Sequence, residues 1–291
     1  MATMAMDVIT IMDALHTLEK EHLGYDRAWG TYNNTQGWFF ELYARFKGLV
    51  GQLHNLKAKA SVDWLVLNEF LTANGFDPMF DEPLDGIGAV SILDMLVEWL
   101  YQASLCNIHG KDGKTHDGFA IPAEGVEFFK VGTFEHPLAR LKTKSGDSLW
   151  LMMFDALSSP ADLVKFAFMV MDLQHSRTAR YAGAELPMVD FNLKPDISWL
   201  EGADTTEDDG TPWYIYQASQ QFKFRMNEEG ARAKVASGVG VRKCAIGPGP
   251  LHFNQPFAGW FTQDSIAPVL PIAVFYAGSD SWKKAGSIHN L

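Results

Sequence analysis

The sequence has few cysteines and no long apolar run. Its two cysteines, Cys106 and Cys244, are too few for a disulfide framework or a cysteine-built metal site, so we interpret them as two unrelated thiols. No apolar stretch approaches the roughly eighteen residues that mark a transmembrane helix. The start at Met1 also lacks the basic and then apolar segments of a secretory signal. These absences predict a cytoplasmic protein with no membrane partner.

Positive charge is also scarce. The chain has 24 Lys and Arg residues against 35 Asp and Glu residues, which gives a formal net charge of -11 and a pI near 5.2. An acidic surface repels phosphate backbones, so no nucleic acid partner is expected. Of the 291 residues, 47% are hydrophobic and 20% are charged, which is typical of a globular protein with a sizeable core.

The motifs of several enzyme classes are missing as well. The sequence contains no Gly-x-Ser-x-Gly, no P-loop and no His-Glu-x-x-His. The pair Gly238-Val-Gly240 lacks the third glycine and the following helix of a dinucleotide site. The acidic segment 202–210 does not match the ligand spacing of a calcium-binding loop. We therefore expect neither a cofactor nor a metal ion.

The first hundred residues have helical periodicity. Apolar residues recur at spacings of three and four, which predicts helices over residues 8–23, 38–56, 62–73 and 90–103. The polar segment 107–118 contains three glycines and predicts a loop. Residues 1–118 are therefore expected to be mostly helical.

From residue 119 the pattern changes to short runs that are alternating or fully apolar, as in β-strands. Strands are expected at 126–132, 138–143, 148–154, 188–193, 213–226, 257–262 and 271–276, with one helix at 161–173. Helices first and strands later predict an α+β fold. We expect one domain over residues 1–291, with its β-rich part at 119–291.

The segment 213–230 ends in Asn227-Glu228-Glu229-Gly230. It resembles the strand and hinge signature of the serpins, a family of serine protease inhibitors. Downstream, Phe253-Asn-Gln-Pro-Phe257 is similar to the family's Phe-x-x-Pro-Phe element. The spacing between the two motifs fits a reactive loop, assigned here to residues 230–252. The resemblance covers about residues 127–284 and implies N-terminal helices packed on antiparallel and mixed sheets.

The residues after the signature alternate in character. If they join a sheet as a strand, one face takes the small or apolar residues Ala231, Ala233, Val235 and Ser237. The other face takes Arg232, Lys234, Ala236 and Gly238. This alternation suits insertion into a sheet, and it is also the pattern of an ordinary surface hairpin. The resemblance implies that Glu228, Glu229, Gly230, Ala231 and Ala233 form the hinge.

Two functions remain open on the sequence. In the first, the loop is a substrate-like segment that a serine protease attacks, with the scissile bond near Arg242, Lys243 or Cys244. Two basic residues there favour a trypsin-like protease, whose primary pocket is acidic. Trapping a protease requires a sheet that opens to accept the loop, and the first half of the chain has no recognisable counterpart of the family's central strand. That departure keeps a second function open.

The second function is a non-inhibitory serpin-like scaffold. It would serve as a binding protein, or as a cofactor-free enzyme that condenses or cyclises a small aromatic substrate. Glu98 is the candidate acid, because burial among its apolar neighbours would suit a carboxyl group to general acid–base catalysis. The alternative is a glutamate on an exposed helix face. His109 and His116, beside Asp112 and Asp117, could act together with Glu98 or bind a metal ion, and are otherwise plain loop histidines.

Overall fold

The computed structural model describes residues 2–24, 27–84, 86–154, 157–207, 209–229 and 248–288. Several predicted site residues lie outside the described residues and stay predictions: Gly230, Ala231, Ala233, Arg242, Lys243 and Cys244. The chain divides into two compact units. The large unit comprises Met1–Ala5, Leu96–Leu193 and Lys223–Leu291, and the small unit comprises Met6–Met95 and Lys194–Phe222. A single domain over residues 1–291 stays a prediction.

Helices and strands are interspersed along the described residues. The helices are α1 (Val8–Leu18), α2 (Asn34–Val50), α3 (Trp64–Ala73) and α4 (Pro160–Asp172). The strands are β1 (Met4–Met6), β2 (Leu56–Ser61), β3 (Gly88–Leu93), β4 (Ser104–His109), β5 (Thr115–Ile121), β6 (Val126–Val131), β7 (Leu138–Lys142), β8 (Ser148–Met153), β9 (His175–Thr178), β10 (Ala184–Pro187), β11 (Val189–Leu193), β12 (Asp204–Thr206), β13 (Pro212–Tyr214), β14 (Phe222–Met226), β15 (Leu251–His252), β16 (Phe257–Thr262) and β17 (Ile272–Ala277). The predicted α+β class is confirmed. Among these helices, none combines the length and the apolar character needed to cross a bilayer.

A seven-stranded sheet forms the core of the large unit, in the order β1-β17-β16-β8-β7-β6-β9. Strands β16 and β17 pair antiparallel, with Phe257 opposite Ala277, and β8 pairs antiparallel with the other side of β16. Every residue of these three strands is buried, which explains their nearly continuous apolar sequences. The expected antiparallel pairing of 257–262 with 271–276 is therefore confirmed.

Helix α4 covers this sheet. Ser159 caps its first turn by accepting the N–H of Asp162 at 3.2 Å, and Pro160 occupies the position where a missing N–H costs nothing. The ring of Phe166 on the helix lies 6.4 Å from that of Trp260 on β16, edge to face. The sheet and helix therefore pack through aromatic side chains.

Strand β1 lies beside β17 at one edge of the sheet. The hydroxyl of Thr3 donates to the carboxylate of Asp280 at 2.7 Å, and the N–H of Thr3 donates to the same carboxylate at 3.1 Å. The N–H of Gly278 in turn donates to the Thr3 hydroxyl at 3.2 Å. Residues from the two ends of the chain are therefore held together by hydrogen bonds.

The large unit contains a second sheet, in the order β15-β10-β5-β4, and the two-stranded sheet β11-β14. Strands β4 and β5 form an antiparallel hairpin across residues 104–121. The loop predicted at 107–118 is therefore wrong. A Cβ at Gly118 would come within 2.6 Å of the carbonyl oxygen of Leu186 on β10, so this glycine permits a close approach of two strands.

The small unit contains α1 to α3 and the two-stranded sheets β2-β3 and β12-β13. The helix predicted at 90–103 is wrong, because residues 88–93 form strand β3. Val90 and Ile92 are buried against Leu67 and Leu71 of α3, while the alternating residues Ala89, Ser91 and Leu93 are half-buried. This alternation has the period of a strand. The single strand predicted at 213–226 is also wrong, since β13 and β14 are separated by irregular residues.

Candidate functional site

The predicted hinge begins where β14 ends. Asn227, which is 3% exposed, follows the strand, and its Oδ1 accepts the N–H of Glu229 at 3.0 Å. Its Nδ2 donates to the carbonyl oxygen of Gly286 at 3.4 Å. A side-chain oxygen that accepts the N–H two residues later forms an Asx-turn. Asn227 therefore turns the chain at the last described residues before position 230.

Trp99 supports this turn from the other side. Its Nε1 donates to the carbonyl oxygen of Asn227 at 3.0 Å, in a buried position. The indole is 3% exposed and stacks on Phe119, with ring centroids 6.0 Å apart. The sequence placed Trp99 in a helix stripe and did not reveal this role. Trp99 and Asn227 are 128 positions apart, so the local spacing of residues in the sequence could not predict their contact.

Strand β14, which leads into the predicted hinge, is itself fixed through Arg225 and Phe224. Arg225 Nε donates to Asp190 Oδ2 on β11 at 3.0 Å, and Nη1 donates to the carbonyl oxygen of Ser287 at 2.7 Å. Phe224 stacks on Phe275 of β17, with centroids 4.2 Å apart. Arg225 and Asp190 are both mostly buried, so removal of either partner would leave the other charge unpaired and poorly solvated, which would destabilise the fold.

The chain re-enters the described fold at Pro248, in a different sheet. Strand β15 pairs in parallel with β10, placing Leu251 opposite Ala184. The N–H of Leu251 donates to the carbonyl oxygen of Gly183 at 2.9 Å. Phe253 and Phe257 of the Phe-x-x-Pro-Phe element are both fully buried, with ring centroids 5.5 Å apart. The 18 residues from 230 to 247 therefore connect the strand β14 of one sheet to the edge strand β15 of another.

Glu98, the candidate acid, lies on the surface of the large unit. Its side chain is 43% exposed, and Oε2 accepts a hydrogen bond from Lys144 Nζ at 2.6 Å. The backbone N–H of Lys144 also donates to the carbonyl oxygen of Glu98 at 2.9 Å. This environment is an exposed ion pair and not the apolar burial on which the acid–base hypothesis depended.

The two candidate histidines do not converge. In the β4–β5 hairpin His116 lies opposite Ile108 and His109 lies opposite Thr115, so the two side chains point to opposite faces. His109 Nδ1 contacts the Thr115 hydroxyl at 3.1 Å. Among the described residues, no hydrogen bond or ion pair joins either histidine to Glu98.

His116 has its own small cluster. Its Nε2 lies 3.1 Å from Asp112 Oδ2, and its ring meets that of Trp282 edge to face at 5.0 Å. A backbone hydrogen bond from Lys114, together with the contact to His116, lowers the pKa of Asp112. Over the described part of the chain, no group of three His, Cys, Asp or Glu side chains could hold a metal ion.

Comparisons with known proteins identify the architecture. No family model matches the sequence, and no curated protein matches it. Serpin48 of the insect Tenebrio molitor is similar in structure, with a TM-score of 0.60 and 11% identity over 95% of this chain and 92% of that one. A complex of thyroxine-binding globulin with thyroxine gives 0.58 and 11%, over 94% and 92%. Serine protease inhibitor (serpin)-12 of Manduca sexta gives 0.56 and 10%, over 96% and 93%. The chain therefore has a serpin-like fold.

Proposed function

We propose that this protein presents residues 230–247 as a substrate-like loop to a trypsin-like serine protease. The observation that supports the proposal best is the anchoring of the loop's two ends. The end at Asn227 is held by Trp99 and by Gly286, and the end at Leu251 is held by Gly183. A segment of 18 residues would span up to about 60 Å if fully extended, which is ample for a protease active site.

The sequence of the loop supplies the specificity. Arg242 and Lys243 are basic residues of the kind that enter an acidic primary pocket. Attack by the protease serine on the carbonyl carbon of either residue forms an acyl-enzyme and releases the new amino terminus. An inhibitor must then hold that acyl-enzyme before water hydrolyses it.

Insertion of the cleaved loop into a sheet would provide this trap. The small side chains of Ala231, Ala233, Val235 and Ser237 would face the interior, and those of Arg232 and Lys234 would face solvent. The inserted strand would add backbone hydrogen bonds and bury apolar area, both of which stabilise the cleaved form.

The test is incubation of the full chain with trypsin, followed by SDS gel electrophoresis and thermal melting. We expect cleavage after Arg242 or Lys243, a covalent complex that survives SDS, and a higher melting temperature for the cleaved protein. Replacing both Arg242 and Lys243 by alanine should remove the complex. Replacing Lys283 and Lys284, an exposed basic pair outside the loop, is the matched control and should leave it.

A further variant separates cleavage from trapping. Ala233→Arg would place a charge in the interior of the sheet after insertion, so cleavage should continue while the complex is lost. Clean cleavage of the unmodified chain, with no complex and no rise in melting temperature, would refute the inhibitory function.

That outcome would support our second proposal, a non-inhibitory serpin-like scaffold. It is retained because thyroxine-binding globulin, whose structure is similar, holds thyroxine. The exposed ion pair of Glu98 with Lys144 weakens the catalytic form of this proposal, so the second proposal rests on binding of a small aromatic molecule.

A further inference from the structure

The hairpin of β12 and β13 in the small unit has one open face. Asp204 of β12 lies directly opposite Tyr214 of β13, and Thr205 lies opposite Trp213. Residues that pair directly across an antiparallel sheet point to the same side of it, and successive residues alternate between the two sides. Asp204 and Tyr214 therefore share one face. That face is open to solvent, because Tyr214 is 66% exposed, whereas Thr205 on the other face is 6% exposed.

A third segment pairs with β12 on the side away from β13. The N–H of Gly30 donates to the carbonyl oxygen of Asp204 at 2.7 Å, and the N–H of Asp204 donates to the carbonyl oxygen of Gly30 at 3.4 Å. The hydroxyl of Thr205 donates to the carbonyl oxygen of Ala28 at 2.9 Å. Asp204 is therefore fixed between two neighbouring segments, with residue 30 on one side and residue 214 on the other.

Gly30 makes room for the carboxylate of Asp204. A Cβ at residue 30 would collide with Asp204 Oδ1, so only glycine leaves the carboxylate in this position. Tyr32, two residues further on, donates its hydroxyl to Asp204 Oδ2 at 2.7 Å, while 70% of the residue is exposed. The carboxylate is therefore held at a defined position between two exposed tyrosines, Tyr32 and Tyr214. We call this surface the tyrosine–aspartate face.

The carboxylate and the two rings are available to a ligand. Asp204 Oδ1 accepts no hydrogen bond from a described residue, and Asp204 forms no ion pair with one. Over the same part of the chain, neither Tyr32 nor Tyr214 packs its ring against another aromatic ring or a cation. Arg27 is the basic residue that contacts this hairpin, and it donates to the carbonyl oxygen of Thr206 at 3.1 Å and not to Asp204.

A carboxylate between two tyrosine rings suits a guanidinium group. The planar guanidinium of arginine donates N–H groups to a carboxylate and also stacks on aromatic faces. The ammonium group of lysine is a compact and strongly hydrated charge, which gains less from an exposed ring. Asp204 Oδ1 supplies the acceptor, and the rings of Tyr32 and Tyr214 supply the aromatic faces. The chemistry of this face therefore favours arginine.

The charge of the small unit favours a basic partner. This unit has 19 acidic and 7 basic residues, whereas the large unit has 16 and 17, so the whole net charge of -11 comes from the small unit. Glu207 and Asp209 lie in the turn that joins β12 to β13, close to the tyrosine–aspartate face. A concentrated negative potential attracts basic surfaces and speeds their association.

We propose that the tyrosine–aspartate face binds an arginine side chain presented by the basic surface of a partner protein. Pockets for small ligands are concave and bury most of the ligand, but here both rings are mostly exposed. A partner protein covers such an open face with its own surface. The guanidinium group pairs with Asp204 Oδ1 and lies against the rings of Tyr32 and Tyr214. Neither of the functions proposed above uses this face.

Anisotropy of a fluorescein-labelled pentaarginine peptide, titrated with the full chain at about 0.15 M salt, tests the proposal, with pentalysine as the comparison. We expect pentaarginine to bind about threefold more tightly, as one exposed cation–π contact provides. Asp204→Asn keeps the shape and an acceptor for the Tyr32 hydroxyl, and should weaken the binding of pentaarginine about threefold. Tyr214→Ser should remove most of the preference for arginine over lysine.

Two variants serve as matched controls. Glu69→Gln removes one negative charge from an exposed position on α3 in the same unit. Tyr101→Ser removes a ring that is 43% exposed on the large unit. Both variants should bind pentaarginine nearly as the unmodified chain does and should keep its preference for arginine.

Three results would overturn the proposal. Equal losses in Asp204→Asn and Glu69→Gln would show that the peptide responds to net charge alone. A preference for arginine that is absent from the unmodified chain, or that survives Tyr214→Ser, would exclude the rings. Binding of free ethylguanidinium as tightly as pentaarginine would assign the face to small cations and exclude a protein partner. Because Tyr214 is exposed, its variant decides the question even if Asp204→Asn fails to fold.

Discussion

Replacing Trp99 by phenylalanine would remove one hydrogen bond that supports the turn at Asn227, where the predicted hinge begins. The lost bond joins Trp99 Nε1 to the carbonyl oxygen of Asn227 over 3.0 Å, and both residues are 3% exposed. A buried hydrogen bond contributes about 1 kcal/mol, and a buried acceptor that loses its donor costs about 1–3 kcal/mol. The smaller ring also leaves a cavity, which adds to the loss.

Trp282→Phe is the matched control, because it deletes the same atoms from a similar site. Trp282 is 5% exposed and stacks on Phe257, with centroids 6.3 Å apart. Its Nε1 is buried and has no hydrogen-bond partner among the described residues. The change therefore creates a cavity without breaking a hydrogen bond, and it removes a buried unpaired donor.

We expect Trp99→Phe to lower the free energy of unfolding by about 2 kcal/mol more than Trp282→Phe does. Urea denaturation followed by far-UV circular dichroism measures both values. An equal loss in the two variants, or a larger loss in Trp282→Phe, would refute the argument that Trp99 holds the hinge by its indole N–H.

Two further predictions concern titratable groups. Burial, followed by the charge of Glu185, raises the pKa of the Cys106 thiol to about 11. In a Cys244→Ala chain, we expect slow reaction with a disulfide reagent at about pH 8 and a steep rise in rate toward pH 11; the rate of an exposed cysteine at pH 8 would contradict this. Burial also raises the pKa of Asp13, although Ser91 donates to it at 2.6 Å. The folded state then binds the Asp13 proton more tightly than the unfolded state does. The protonated carboxyl therefore contributes its full stability to the fold below the ordinary carboxyl pKa, and this stability is lost as pH rises through the raised pKa of the folded state. Asp13→Asn should therefore gain stability relative to the unmodified chain between about pH 4 and pH 7, measured by urea denaturation, and a constant difference would count against it.

The sequence predicted those elements whose pattern has one structural solution. The run Phe257–Thr262 is apolar at nearly every position, and a short run of this kind is typical of a strand buried on both faces. Helix α3 was predicted within two residues of its start, and its end was indicated by Asn74 and Gly75; the structure adds that Asp63 caps its first turn.

Sequence patterns that fit more than one type of secondary structure led to wrong predictions. Apolar residues at 90, 92, 93, 96, 99 and 100 fit the spacing of a helix. In the structure Val90 and Ile92 are buried as alternate residues of a strand, whereas Leu100 is exposed. Glycines in 107–118 indicated a loop, although Gly118 serves the close approach of β5 and β10. In both segments the deciding contact comes from a distant part of the chain.

The hinge motif was found through its resemblance to a family, while its supports were not found. Arg225 contacts Ser287 across 62 positions, and Trp99 contacts Asn227 across 128. Local periodicity in the sequence cannot predict such pairs, because the partners come together only in the tertiary structure.

The position of β1 beside β17 has a consequence for biosynthesis. Thr3 emerges from the ribosome long before Asp280, its hydrogen-bond partner. Strand β1 of the seven-stranded sheet must therefore remain unpaired until its neighbour β17 has been translated. Contacts between residues so far apart in sequence make folding slow, and they expose an unpaired edge in the meantime. We expect the sheet to close only after β17 has been synthesised, with chaperones shielding β1 until then.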